Sequence, residues 1–257
     1  FKSFLNNRKL YMKKTNTYNK HVCFKTILSS ILLIFLRIKK INKIKSNKKF
    51  HNKIFAMQLD ANNYEGVKQY FKSIKQLNKI DGLINNVGIS GPTKYLEKIS
   101  SEEWKSTLET NLNSHFYFTK FSIPLLKNNK LGSIVNISST AGLFGFPQRT
   151  PYAASKWATI GLMKSLAMEL GEFNIRVNAI CPGSVSGNRI NKVIKAKAES
   201  LGVSVEKVKQ DYESYVSLGT FVEKEDIANT AIFLLSQEAN KITGQIITVD
   251  GHTERMR

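Results

Sequence analysis

The chain reads as an α/β protein built on a doubly wound parallel sheet, and three observations carry that reading. From Ile54 onward, short apolar runs alternate with amphipathic helical stretches, the pattern of a parallel sheet covered on both faces. The apolar runs end in small and polar residues, as in "NNVG", "ISS" and "CPG", where ligands settle in such sheets. The length of 257 residues suits one domain with a sizeable core.

The elements follow in order. Residues 1–53 form an atypical, strongly basic segment. The whole chain carries a formal net charge of +20, with 39 Lys and Arg against 19 Asp and Glu; 15 of those bases and none of the acids precede Phe55. The remainder therefore holds 24 bases against 19 acids, a nearly ordinary balance. Within the segment, "ILSSILLIFL" (Ile27 to Leu36) is too short to span a bilayer, which takes about 20 residues. No small-residue cleavage site follows it, so a buried strand is the expectation.

A domain over 54–257 comes next. "IFAMQLD" predicts a strand ending at Asp60, and "NYEGVKQYFKSIKQLN" an amphipathic helix. "IDGLINNVG" reads as a strand running into a turn. "SSEEWKSTLETNLNSHFYFTKFSIPLLKNN" opens on Ser and acidic residues and continues as one long helix. "GSIVNISS" is a buried strand; "PYAASKWATIGLMKSLAMELG" is a helix with Pro151 at its start and its stop at Gly171. After the strand "IRVNAICPG" come a helical excursion from about Asn188 to Tyr215, the helix "KEDIANTAIFLLSQ" and the final strand "GQIITVDG".

Composition removes several function classes. Two cysteines, Cys23 and Cys181, make no disulfide framework, and four scattered histidines offer no metal-ligand spacing, so no metal site is expected. Basic residues without interleaved aromatics, or any nucleic-acid fold signature, point to no specific nucleic-acid partner. A reducing cytosol fits the cysteine usage best.

The chemistry gathers around "RTPYAASKWATIGL". Tyr152 and Lys156 are four residues apart and share one helical face. An ammonium below a phenol stabilises the phenolate, whose unperturbed pKa is about 10. The plainer alternative is a packed Tyr and a snorkelling Lys. The strand endings at Asn85-Asn86-Val87-Gly88, Ser138-Ser139 and Pro182-Gly183 fall on the rim where this helix begins, which favours chemistry.

This combination resembles the short-chain dehydrogenase/reductase family, through "NNVG", Asn111 in "LETNLNS", "ISSTAG", "YAASK" and "RVNAICPG". The likeness runs from about Ile54 to His252, and 3-oxoacyl-carrier-protein reductases and sugar or polyol dehydrogenases look nearest. It implies a Rossmann-like fold and hydride transfer between NAD or NADP and a carbonyl or secondary alcohol. By the same resemblance Tyr152 is the general acid/base and Lys156 lowers its pKa and holds the cofactor ribose. Ser139 polarises the substrate oxygen, with Ser138 as its structural neighbour, and Asn111 holds a water of a proton relay. Asp60 looks like the acid facing adenine, Asn86 and Gly88 like the adenosine-side turn, and Pro182, Gly183 and Val185 like the nicotinamide contacts. Residues 184–222 form the substrate lid. Family members are commonly homotetramers.

Bland readings stand beside these. Asn85 and Asn86 would tie a strand end to its neighbour; Ser139 would cap a turn; Cys181, Trp157 and Met163 would pack in core or interface. Arg149 and Arg189 could grip an anionic substrate group, or lie as solvated surface. One departure from the family is plain: its glycine-rich phosphate loop is missing, since the first glycine is Gly66. The segment before it reads as misread, as diverged, or as the mark of a scaffold that has lost dinucleotide binding. The initial Phe fits an uncertain start.

Overall fold

A computed structural model describes residues 59–129 and 131–254. The expected strand at Ile27 to Leu36 and nearly all of the one ending at Asp60 lie outside those residues. Helix α1 (Tyr64–Ser73) begins where the Asn63 side chain accepts from the Gly66 amide at 2.9 Å, a polar cap for a free helix N–H. Its Val67 and Phe71 turn inward, and Phe71 meets Phe118 edge to face at 6.0 Å.

The described sheet has four strands: β1 (Gly82–Asn85), β2 (Ser133–Ile137), β3 (Arg176–Pro182) and β4 (Ile246–Val249). They pair in that order, all parallel. β3 is almost wholly buried, which is why "VNAIC" shows no alternation of polar and apolar residues.

Helix α2 (Ser101–Leu108) starts in a capping box between Ser100 and Glu103, as the Ser-acidic opening predicts. It passes through one π turn, Glu109–Asn113, into α3 (Ser114–Lys127). Helix α4 is Thr150–Glu169, α5 Asn188–Leu201, α6 Val205–Ser214 and α7 Lys224–Leu235. Helices α1, α3 and α4 pack Val67, Phe71, Phe118, Leu126, Ile160 and Met163 onto one sheet face. Helix α7 covers the other with Ala231 and Leu234. Each large apolar side chain fully withdrawn from water contributes about 1.5–3 kcal/mol, so both faces must be covered. Helices α5 and α6 keep a small core of their own, Ile194, Ala198 and Val208.

Two features of α4 refine the expectations. Helix α4 ends at Glu169 with Leu170 as its cap, so the stop falls at Gly171 as expected; the chain then tightens into a 3₁₀ turn over Gly171–Phe173, and the left-handed residue is Asn174, φ 57°. Asn tolerates that conformation better than most side chains. Of the core and interface readings of Trp157, its 52% exposure removes the core one. The inward stripe of α4 runs Lys156, Thr159, Ile160, Met163 and Leu166, and Trp157 lies off it. Met163, by contrast, is fully buried, as expected.

Candidate active site

The carboxyl ends of β1, β2 and β3 and the first turns of α4 do meet on one rim. The β2 ending divides its two serines between different tasks. Ser138 Oγ donates to the Lys156 carbonyl at 2.8 Å and fastens α4 to the strand end. Ser139, in extended backbone, caps the following 3₁₀ turn by accepting from the Ala141 amide at 3.1 Å. Its hydroxyl is also among the groups that pull the Tyr152 phenol down. The cap and the chemical reading therefore coexist in one side chain.

Lys156 is buried, donates to the Ile137 carbonyl at 2.9 Å, and holds its ammonium 5.7 Å from the centre of the Tyr152 ring. Burial pulls this ammonium below the ordinary lysine range; the Tyr152 phenol opposes that and Arg189 adds to it. For Tyr152, partial burial pushes the phenol up, but Lys156, Arg189, the Ser139 hydroxyl and Arg149 together outweigh it. The phenol lies below its ordinary value.

Asn111 faces inward from the π turn and is fully buried. Its Oδ1 accepts from the Ile89 amide at 2.8 Å, while Nδ2 donates to the Ile89 carbonyl at 3.1 Å and to Ser155 Oγ at 3.0 Å. It thus ties the turn after β1 to α4. The sequence predicts a plain helix here; the single extra residue of the π turn aims Asn111 at the site. Gly88 sits against it: a Cβ there would lie 3.1 Å from Asn111 Oδ1 and 3.7 Å from Lys156 Nζ.

The other predicted residues divide. Asn85 plays the structural part, donating to Thr119 Oγ1 at 2.9 Å and to its register partner Asn136 at 2.8 Å; Asn86 is exposed. Asp60 is exposed and accepts from the Asn62 amide at 3.0 Å. Pro182 closes β3, and Val185 forms a parallel bridge with Val222. Gly183 donates to the Val249 carbonyl at 3.0 Å and leaves no room for a side chain, since a Cβ would meet Asp250 Cα at 2.9 Å. Cys181 is a free, buried thiol that burial pushes up, as a core cysteine should be.

Arg149 departs from the surface reading, and Arg189 keeps it. Arg149 is only 3% exposed: it donates to the Ser90 carbonyl at 2.6 Å and stacks 5.0 Å from the Tyr152 ring centre and 5.2 Å from that of Phe146. Aromatic faces and a carbonyl hold the guanidinium in place of water. Arg189 is exposed, but its guanidinium reaches within 6.0 Å of the Tyr152 ring centre and donates weakly to the Gly88 carbonyl at 3.4 Å. Helix α5 thus meets the turn after β1. Sequence reasoning misses Lys197 on α5 and Tyr212 on α6: Lys197 shares the Phe146 ring with Arg149 and lies 5.2 Å from the centre of the Tyr212 ring. Among the described residues there is no metal-binding cluster of His, Cys, Asp and Glu, and no helix is long and apolar enough to cross a membrane.

A short-chain dehydrogenase profile described as "Enoyl-(Acyl carrier protein) reductase" matches residues 33–252. The chain belongs to the short-chain dehydrogenase/reductase family. It is an oxidoreductase of that family, and its sheet is of the Rossmann-like type. One relative is a 3-oxoacyl-[acyl-carrier-protein] reductase FabG of Thermotoga maritima, 36% identical over 180 residues, 70% of this chain and 68% of that one. Among solved structures, NAD+-bound xylitol dehydrogenase is 27% identical at a TM-score of 0.70, covering 74% of this chain and 76% of its own. ElxO with NADP bound is 28% identical at a TM-score of 0.72, covering 84% of each chain. In this short-chain dehydrogenase/reductase the match begins inside the basic N-terminal segment, twenty-odd residues before Phe55.

Proposed function

We propose that this enzyme is an NAD(P)-dependent oxidoreductase of carbonyls and secondary alcohols, with a 3-oxoacyl or sugar/polyol type of substrate. Asn111, Ser139, Tyr152 and Lys156 are its catalytic set. The observation that carries the reading is the convergence of the Ser139 hydroxyl and the Lys156 ammonium on the Tyr152 phenol.

The residues present fit the nicotinamide-ribose half of such a cofactor. Lys156 spends one hydrogen bond on Ile137 and has further N–H donors for ribose hydroxyls. Gly88 keeps open the space beside the ammonium that a Cβ would fill. Asp60, Asn86, Pro182, Gly183 and Val185 would complete the binding groove. The phosphate-holding part of the family's fold falls in residues outside those described, and the first 65 residues contain no glycine.

When bound, NAD(P) supplies or accepts the hydride. The chain does the rest. Ser139 donates to the substrate oxygen as negative charge develops on it, which a fixed donor stabilises without reorganisation. Tyr152 delivers the proton to that oxygen in reduction and removes it in oxidation. Lys156 favours the phenolate between these events, and Asn111 holds the turn and Ser155 in register. Free Cys181 suits a reducing cytosol. A homotetramer packed through α3 and α4 is in keeping with exposed Phe116, Trp157 and Met168.

The test has two arms. Titration with NADH and NADPH, followed by nicotinamide fluorescence, should give saturable binding of at least one. Tyr152→Phe should then lower kcat for carbonyl reduction at least about a hundredfold while the fold persists. Binding of neither cofactor would favour a scaffold that has kept the fold without the reaction.

A further inference from the structure

Beyond Tyr152 lies a group of buried polar atoms that the reaction does not use. Arg149 Nε, Lys197 Nζ and the Tyr212 hydroxyl are all buried without a hydrogen-bond partner. They are close to one another. The Lys197 ammonium lies 5.5 Å from the Phe146 ring centre and 5.2 Å from that of Tyr212. The Arg149 guanidinium lies 5.2 Å from the same Phe146 ring and 5.0 Å from the ring of Tyr152. Arg149 and Lys197 are 3% and 7% exposed, and among the described residues neither has a carboxylate in an ion pair.

Two buried cations side by side repel each other and have each lost their water, an arrangement that a fold maintains only when something of opposite charge repays it. Asp211 is the nearest acid acting on Lys197, but it is committed to Lys207 at 2.9 Å. Two of the unpartnered atoms can only donate, one guanidinium N–H and an ammonium, and the third is a phenol, which can donate as well. A donor-rich cluster with two positive charges is the complement of an oxyanion; a neutral sugar hydroxyl would leave its charge uncompensated, and an acyl chain would leave its donors unsatisfied as well.

We propose that Arg149, Lys197 and Tyr212 form a subsite for an oxyanionic group of the substrate, carboxylate or phosphate, placed a few atoms from the carbonyl that Tyr152 protonates. This rests on the proposed reaction at Tyr152 and adds a substrate class to it. The lid supplies two of the three residues, from α5 and α6, so the anion would also fasten the lid over the site. Burial, with Arg149 adding to it, pulls Lys197 down to about 8, and burial pushes Tyr212 up to about 12. An arriving anion would draw the ammonium back towards its ordinary value and stabilise its charged form.

The experiment titrates the full chain calorimetrically with acetoacetate, hydroxyacetone phosphate and uncharged 2,4-pentanedione. At least one of the two anions should bind about tenfold or more tightly than the neutral diketone. The anion that does so identifies the source as carboxylate or phosphate. Lys197→Met should weaken that anion by about tenfold or more, and Lys197→Arg should recover most of it. Equal binding of charged and uncharged probes by the unaltered chain would overturn the proposal, whatever the variants do. So would an anion affinity that Lys197→Met leaves unchanged. Turnover of neutral ketones by an anion-blind enzyme would sink the subsite alone, whereas anion binding without any hydride transfer would sink the reaction alone.

Discussion

The Lys156 ammonium stands 5.7 Å from the centre of the Tyr152 ring, held there by the Ile137 carbonyl at 2.9 Å. This anchor matters because a lysine free to swing to solvent would do little to a phenol. Burial costs Lys156 some of its charge preference, and the phenol below it restores part of that, so the two groups titrate as a pair.

Lys156→Met therefore has a signed consequence. Oxidation of an alcohol needs the phenolate, so its rate rises with pH through the phenol's ionisation. Without the ammonium the phenol returns towards or above its ordinary value, and the rising limb moves to higher pH. Oxidation at neutral pH should fall by about a hundredfold or more. The pH profile of kcat for alcohol oxidation measures this, and an unmoved limb would show that Lys156 does not tune Tyr152.

The core of this site was legible in the chain because its spacing is local. Tyr152 and Lys156 are fixed relative to each other by one helical turn, and Ser139 by the end of a strand. What escaped reading depends on partners distant in sequence. Arg149 looks like surface until Ser90, Phe146 and Tyr152 are seen to enclose it. Lys197 and Tyr212 lie on the polar helices α5 and α6, whose sequence shows only charge and helical period. The inward aim of Asn111 comes from one π turn inside what the pattern reads as uninterrupted helix. The left-handed Asn174 is a similar case, since Gly171 three residues earlier carries the stronger local signal.

Gly183→Ala should destabilise the chain even if Gly183 touches no cofactor. The added methyl would sit 2.8 Å from Asp250 Cβ and 2.9 Å from its Cα, and backbone cannot step aside as a flexible side chain can. Overpacking of this kind costs about 1–3 kcal/mol. Thermal unfolding should show a midpoint lower by roughly 2–4 °C for each kcal/mol lost. An unchanged midpoint would mean that β3 and the Asp250 turn separate readily.

Arg176 closes the carboxyl end of α7, donating to the Leu234 carbonyl at 2.6 Å and the Ser236 carbonyl at 3.1 Å. Partial burial lowers its pKa, yet a guanidinium remains charged and suits the negative end of a helix. Arg176→Met keeps the aliphatic stem but removes two charge-assisted hydrogen bonds, leaving the Leu234 carbonyl to Ser133 Oγ and the Ser236 carbonyl to the Ala239 amide, at a cost of about 1–3 kcal/mol. Denaturant unfolding checks this, and Arg176→Lys should recover only part, because one ammonium cannot reproduce the fork.

His115 ties stability to acid. Its ring is 1% exposed, Nε2 donates to the Val87 carbonyl at 3.0 Å, and Nδ1 is buried without a partner. Burial first, and the Lys156 charge second, hold it down at about 3, against an ordinary 6.5. The folded-state pKa is depressed, so the unfolded chain takes up a proton that the folded chain refuses. The neutral ring's contribution is present above pH 6.5 and is lost progressively as pH falls towards 3. At pH 5 the loss should be about 2 kcal/mol relative to pH 7, taking an unfolded-state value of 6.5. Replacing the ring by the non-titrating amide in His115→Gln removes this term. The variant should start less stable at pH 7 yet lose less between pH 7 and pH 5 than the unaltered chain does. Guanidinium unfolding across that range measures both slopes, and parallel slopes would mean that His115 can take up its proton without unfolding.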